Sequence, residues 1–322
     1  MTFTQKNAIL FSIKISEVGY MKKIISVLLS VIILLGLCSC DGKNKENGPS
    51  IVVSVSSAYD WVMNILGDEK DNFEVTLLAN GDIHSYQPSS KDFAKISECD
   101  LFIYLGTGTD SWAETAIKTA KNKNIKALSL SKEIESRLLH VTHEHDDHSH
   151  MTVDEHLWLS LKNAEILCNS IAKEIISLDS SKKAVIQSNL ETYTKKLLEL
   201  DKKYSDMVAS AKRKTVIFGD KYPFSYLFND YGIGVVSPYL GCSADSEVSF
   251  ETVTRIANAL KSTGIKRVLV AEDSDTKLAR TIIENAKVTD CYVNPLYSIT
   301  TNEISYIEAF ERNLETLKTA LN

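Results

Sequence analysis

Breaker residues are scarce: 13 glycines and 5 prolines are spread over 322 residues. That poverty excludes collagen-like repeats and Pro/Gly-rich low-complexity chains. Basic residues are in no surplus, 36 Lys and Arg against 42 Asp and Glu, for a net charge of -6. The basic footprint left by nucleic-acid binding is therefore missing. Six cysteines are too few for a disulfide scaffold in a chain of this length, so each is read singly. No hydrolase motif is present; after His143-Glu144 the HExxH zinc-protease pattern requires a histidine where Asp147 stands. What remains is an ordinary globular composition, 44% hydrophobic, long enough for two lobes of about 100–150 residues each. Histidine is the uneven component: six of the seven lie between His140 and His156, and only His84 stands apart.

The N-terminus reads as a targeting device. Met21-Lys22-Lys23 precedes an apolar run over 24–37, and Cys38-Ser39-Cys40 follows. A basic start, a short apolar stretch and a small-residue exit describe a secretory signal. The run falls short of the ~20 residues a membrane span needs. Its ending resembles a bacterial lipobox, which implies a signal over 1–39 with translation starting at Met21, and a lipidated Cys40 as the mature N-terminus. Residues 40–50 are polar and unpatterned, as a flexible tether should be. Without residues 1–39 the chain loses four Lys and one Glu and carries a net -9. The protein is thus expected outside the cytoplasm, held to the cell membrane by lipid, and periplasmic if its host has an outer membrane.

From residue 51 the chain alternates short β-branched runs with helical stretches. Strands are expected over 51–56, 73–78 and 101–105, then again over 215–218, 234–236, 267–270 and 291–293. Their near-continuous apolar character suits parallel sheets covered on both faces. Helices are expected over 59–66, 153–178, 250–261, 276–286 and 305–321. Between the halves, 181–214 contains no Gly or Pro. There Leu190, Tyr193, Leu197, Leu200, Tyr204 and Met207-Val208 recur at three- and four-residue steps, the stripe of an amphipathic helix. The expected architecture is α/β: a first lobe over 51–180, one long backbone helix over 181–214, and a second lobe over 215–322.

Open α/β sheets bind ligands beyond the carboxyl ends of their strands. His84 follows the second strand, Asp220 follows 215–218, and Glu272 and Asp273 follow 267–270, while His156 sits after the His-rich segment. Two imidazoles and carboxylates from separate elements suit a borderline divalent metal. The tract from His140 to His150 holds His140, His143, His145, His148 and His150 with Glu144, Asp146 and Asp147, a compositional metal-binding signal expected to be a mobile loop.

Gly81-Asp82-Ile83-His84-Ser85-Tyr86-Gln87-Pro88 resembles the G-x-x-P-H-x-Y-x-P signature of the zinc- and manganese-binding lipoproteins of ABC importers. Asp154-Glu155-His156-Leu157-Trp158-Leu159 is similar to that family's D-P-H-x-W-L. The zinc branch carries an acidic, His-rich loop between these motifs, as this chain does. The similarity runs from about Ile51 to Leu321. It implies two βα lobes around a metal cleft and delivery of the metal to a membrane permease with a cytoplasmic ATPase. Transport requires no enzymatic turnover; a metal hydrolase on His84, His156 and Asp220 with Glu272 as base is the enzyme alternative, and a metal-binding surface adhesin is another. The departures are informative. Ile83 replaces Pro, and Lys221 stands where the zinc branch places a third histidine. Lys221 is protonated and cannot ligate, which leaves Asp220 as third ligand and Glu272 as fourth, with Asp273 its near competitor. A His, His, Asp, Glu set resembles the manganese branch (iron being a further possibility there), whereas the His tract resembles the zinc branch. Zinc is the expected ion, because it stands above manganese in intrinsic affinity for nitrogen and oxygen donors. Some zinc-branch relatives carry a disulfide in the second lobe, which implies a Cys242–Cys291 bridge. Cys99 and Cys168, in apolar patterns, are expected to be buried thiols.

Overall fold

The computed structural model describes residues 48–145, 148–239 and 248–322, with backbone alone over 142–145 and 148–151. The expected lipidation site Cys40 lies outside the described residues, as do the signal segment and Cys242. Two four-stranded parallel sheets organise the chain. The first has the order β2-β1-β3-β4, with β1 at Ser50–Val55, β2 at Glu74–Ala79, β3 at Leu101–Tyr104 and β4 at Lys126–Ser129. The second has the order β10-β9-β7-β8, with β7 at Thr215–Phe218, β8 at Gly234–Val236, β9 at Arg267–Ala271 and β10 at Tyr292–Leu296. Each winds outward from its first strand, then returns to that strand's other side, which creates a switch point between β1 and β3 and another between β7 and β9. Helices α1 (Ser56–Leu66), α2 (Ser90–Glu98), α3 (Trp112–Thr119) and α4 (Leu161–Leu178) belong to the first lobe.

Helix α5 spans Lys183–Ser210, 28 residues and about 42 Å at 1.5 Å per residue. Its buried side chains are Ile186, Tyr193, Leu197, Leu200, Tyr204, Met207 and Val208, the stripe read from the sequence with Ile186 added and Leu190 only partly buried. They join one core with β1 and α1 of the first lobe and Phe218, Leu269 and Leu296 of the second. Each lobe is also gripped by a tyrosine. Tyr193 donates to Asp60 Oδ1 of α1 at 3.0 Å, and Tyr204 donates to the Phe310 carbonyl at 2.7 Å. Phe310 lies on α9 (Tyr306–Ala320), which follows α6 (Ser225–Tyr231), α7 (Phe250–Thr263) and α8 (Lys277–Ala286).

Two expectations fail locally, both beside the histidines. The helix expected over 153–178 begins only at Leu161, because Ser160 caps it by accepting the Asn163 N–H at 3.0 Å. Ahead of it, Asp154 Oδ1 accepts the His156 N–H at 3.0 Å and holds a turn, the local competition that short polar side chains offer a helix. The expected mobile loop over 140–150 is instead an antiparallel ladder, β5 (His140–His145) against β6 (His148–Val153), with His140 opposite Val153 and His143 opposite His150. Val141, Thr142, Thr152 and Val153 supply β-branched residues at its base, where strands favour them. Strand β4 and helices α2 and α3 were not anticipated. Cys99 and Cys168 are buried, as expected, and Cys291 is half-buried; the partner expected for it, Cys242, lies outside the described residues.

Candidate metal centre

The carboxyl ends of β2, β7, β9 and β10 converge on a cavity of about 430 Å³. His84, His156, Asp220, Lys221 and Asp273 line it, together with Ser298 and Thr300. The wall from the first lobe is set by the loop after β2. Gly81 takes φ 147°, a backbone region that side chains avoid, and its N–H donates to the Thr300 carbonyl at 2.8 Å. Ser56 Oγ donates to the same carbonyl at 2.8 Å, and the Asn302 N–H donates to Asn80 Oδ1 at 3.0 Å. These bonds stitch the His84 loop to the second lobe. Trp158 adds another, donating Nε1–H to the Ser298 carbonyl at 2.8 Å. Ile299, between Ser298 and Thr300, is held at φ 60°, an outlier for a β-branched residue and a sign that its neighbours dictate its conformation.

The two histidines from separate sequence motifs meet. Their Nε2 atoms lie 3.2 Å apart, with ring centroids at 5.2 Å and planes tilted by 49°. Each ring's other nitrogen faces a carboxylate: His156 Nδ1 lies 2.9 Å from Asp154 Oδ1, and His84 Nδ1 lies 3.2 Å from Glu155 Oε2. A carboxylate accepts a proton there, so Nδ1–H is the tautomer the partners favour on both rings, which leaves the two facing Nε2 atoms as the lone-pair nitrogens. Two such nitrogens attract a cation between them, a proton or a metal ion. Zinc–nitrogen bonds of about 2.0–2.1 Å at a tetrahedral angle place two nitrogens about 3.3–3.4 Å apart, close to the separation found.

The electrostatics agree. The Glu155 carboxylate, against the opposing effect of burial, raises His84 above the ordinary imidazole range. Burial works against Asp154 too, yet hydrogen bonding to His156 holds its carboxyl below the usual range. Burial likewise opposes Asp82, but the His84 N–H and the Ser85 hydroxyl keep it low, with the Lys221 ammonium assisting.

The carboxylates of the second lobe are less settled on the histidine pair. Asp220 and Asp273 line the cavity, whereas Glu272 is turned to Ser298. There both Glu272 oxygens accept the Ser298 N–H (2.8 and 2.9 Å) and hydroxyl (2.9 and 3.0 Å), while burial raises its carboxyl. Among the described residues no three His, Cys, Asp or Glu side chains close to ligand distance. The structure thus brings His84 and His156 together and holds Asp220 and Asp273 at the cavity wall. Of the tract histidines, His140 lines a separate hollow with Asp154 and Tyr222 at the foot of the hairpin. Sequence reasoning passed over Asp154 and Glu155; the Asp-x-His spacing at 154–156 was the available signal for the first.

The family model for "Zinc-uptake complex component A periplasmic" matches residues 51–320. The zinc-binding lipoprotein AdcA of Streptococcus pneumoniae is 30% identical over 309 residues, which cover 92% of this chain and 61% of that protein. The chain therefore spans about three fifths of that relative's length. The high-affinity zinc uptake system protein ZnuA of Bacillus subtilis is 26% identical over 312 residues, 92% of this chain and 96% of that one. Among solved structures, the Zn(II)-bound ZnuA-like domain of Streptococcus pneumoniae AdcA superposes with a TM-score of 0.68 at 25% identity, covering 85% of this chain and 99% of the domain. A family model that covers nearly everything after the N-terminal segment, over a fold with the same two lobes, places this chain in the family of periplasmic zinc-uptake components.

Proposed function

We propose that the protein captures Zn(II) outside the cytoplasm with high affinity and delivers it to the membrane permease of an ABC-type importer. The carrying observation is the 3.2 Å approach of two Nε2 atoms whose Nδ1 partners are both carboxylates. The Zn(II)-bound relatives and the zinc-uptake family model support zinc as the ion. His84 and His156 serve as the nitrogen donors and Asp220 as the first oxygen donor. Glu272 is the fourth donor that the sequence resemblance implies. Asp273 already faces the cavity, so it is the donor the geometry favours, and Glu272 enters only by releasing Ser298. The lipidated Cys40 supplies the anchor in this reading; no helix among the described residues is long and apolar enough to cross a membrane.

Elemental analysis of protein purified without added metal should find close to one tightly held zinc per chain; isolation with manganese would overturn the reading. Chelator competition then ranks the carboxylates. Asp220→Ala and Asp273→Ala should each weaken zinc binding about tenfold or more, a loss of ~1.4 kcal/mol or more, while Glu272→Ala should act less on affinity than on stability. The reverse order would restore Glu272 as ligand.

The His-rich hairpin fits an accessory role, because imidazoles suit zinc and have little use for manganese. Deleting residues 141–149 should leave the tight site intact and remove one or more weaker ones in a zinc titration. Loss of the tight site in that variant would contradict this division of labour.

A further inference from the structure

Glu155 occupies the place where the D-P-H-x-W-L signature resembled by this segment has proline, a residue with no carboxylate to offer. Its side chain does not turn toward the neighbouring His156. It crosses to the other motif, with Oε2 3.2 Å from His84 Nδ1. Its second oxygen accepts the Thr109 N–H at 2.7 Å, from the loop that follows β3. Room has been left for that oxygen: a Cβ at Gly108 would sit 2.9 Å from Glu155 Oε1, closer than real contacts allow. One carboxylate thus ties together the loop after β2, the loop after β3 and the turn ahead of α4. Consecutive acids serve the two rings in turn, Asp154 holding His156 and Glu155 holding His84.

We propose that Glu155 is the positioning residue of His84, fixing its Nδ1–H tautomer and aiming Nε2 at the metal before the ion arrives. The inference rests on the zinc-binding reading above. His156 needs no such help from outside its own turn, since Asp154 lies two residues away and binds its backbone as well as its ring. His84 is the exposed partner, with 41% of its side chain open to solvent against 8% for His156. In this loop its own neighbours Asp82 and Ser85 bond its backbone and each other, leaving the ring to Glu155. The consequence is a half-site preformed by the first lobe alone, with both nitrogen donors aligned and the carboxylates of the second lobe completing it.

Glu155→Gln tests this with no change in shape. The amide carbonyl can still accept from Thr109, but its NH₂ then faces Nδ1 and draws the His84 proton onto Nε2, the ligating atom. Zinc affinity by chelator competition should fall on the order of 10–100-fold, as for other outer partners of metal-bound histidines. Long-range ¹⁵N NMR on the metal-free protein near about pH 9, where imidazoles are neutral, should show the His84 proton on Nδ1 in the wild type and on Nε2 in the variant. Unchanged affinity, or weaker binding with an unmoved proton, overturns the proposal, the latter because it marks a merely structural role. If Glu155→Gln fails to fold, the wild-type spectrum decides, and a proton on Nε2 of His84 refutes the assignment. Failure of the wild type to bind zinc at all overturns the functional reading itself, and the inference falls with it.

Discussion

Replacing either histidine by alanine should lower zinc affinity by two or more orders of magnitude, about 2.7 kcal/mol or more of binding free energy. A four-coordinate site loses a quarter of its donors with one imidazole, and a carboxylate or water replaces it poorly. The two variants should nevertheless differ in stability. His156 is 6% exposed and its ring packs 5.3 Å from that of Trp158, while its loss would take the ring partner from Asp154, whose side chain is 2% exposed, and leave that carboxylate only the backbone N–H of residue 156. A buried carboxylate that loses its ring partner is costly, so His156→Ala should also destabilise the metal-free protein by roughly 1–3 kcal/mol. His84→Ala removes a half-exposed ring and should leave urea unfolding of the metal-free protein nearly unchanged. Chelator competition and urea titration on the same samples separate the two effects. Binding by His84→Ala within a few-fold of wild type would show that the facing nitrogens do not hold the ion.

Asp230→Ala should be the most destabilising change away from the cavity, by about 2–4 kcal/mol, because a nearly buried charge leaves its partners behind. Asp230 lies on α6 of the second lobe with 6% of its side chain exposed. Its Oδ1 receives Arg137 Nη2 at 2.8 Å, its Oδ2 receives the Ser160 hydroxyl, and its carbonyl receives Lys162 Nζ at 3.1 Å. All three donors belong to the first lobe. Arg137 keeps a second partner in Asn163 Oδ1, and about a third of its side chain reaches solvent, so the loss should fall short of that for a wholly buried pair. Asp230→Asn keeps the volume and one acceptor oxygen for Arg137, while its NH₂ would have to donate to the Ser160 hydroxyl instead, and it should recover part of the loss. A change below about 1 kcal/mol in the alanine variant would mean that solvent replaces the network freely.

The central strands β1, β3, β7 and β9 were legible because they are buried on both faces. Runs such as Val52, Val53 and Leu101, Phe102, Ile103 allow no other use, and the three- and four-residue spacing on α5 left no doubt about its buried face. The region before α4 was misread for a physical reason: helical periodicity continues through 153–160, but the Asp154 and Ser160 side chains take the backbone N–H groups a helix would need. His84 and His156 could be named from their motifs, yet their approach depends on contacts between residues 72 positions apart. Adjacent acids pose the hardest case. Glu272 and Asp273 are equivalent in sequence terms, and what separates them is Ser298, 26 residues further on, which claims one and leaves the other at the cavity. Glu155 was invisible for the same reason, since its role exists only once the loop after β3 comes alongside.

The long helix α5 has a thermodynamic consequence. Because its single buried stripe belongs to a core shared by both sheets, neither lobe can lose its packing without exposing the other's. The protein should melt in one cooperative transition, as a unit rather than as two domains. Whatever free energy zinc contributes in the cleft is then added to the unfolding free energy of every element at once, growing with the logarithm of free zinc above Kd. Global opening, the route by which proteases reach the core of a folded chain, becomes rarer for the loaded form in the same proportion. If the proposed function holds, zinc scarcity would shorten the lifetime of the very protein that collects it.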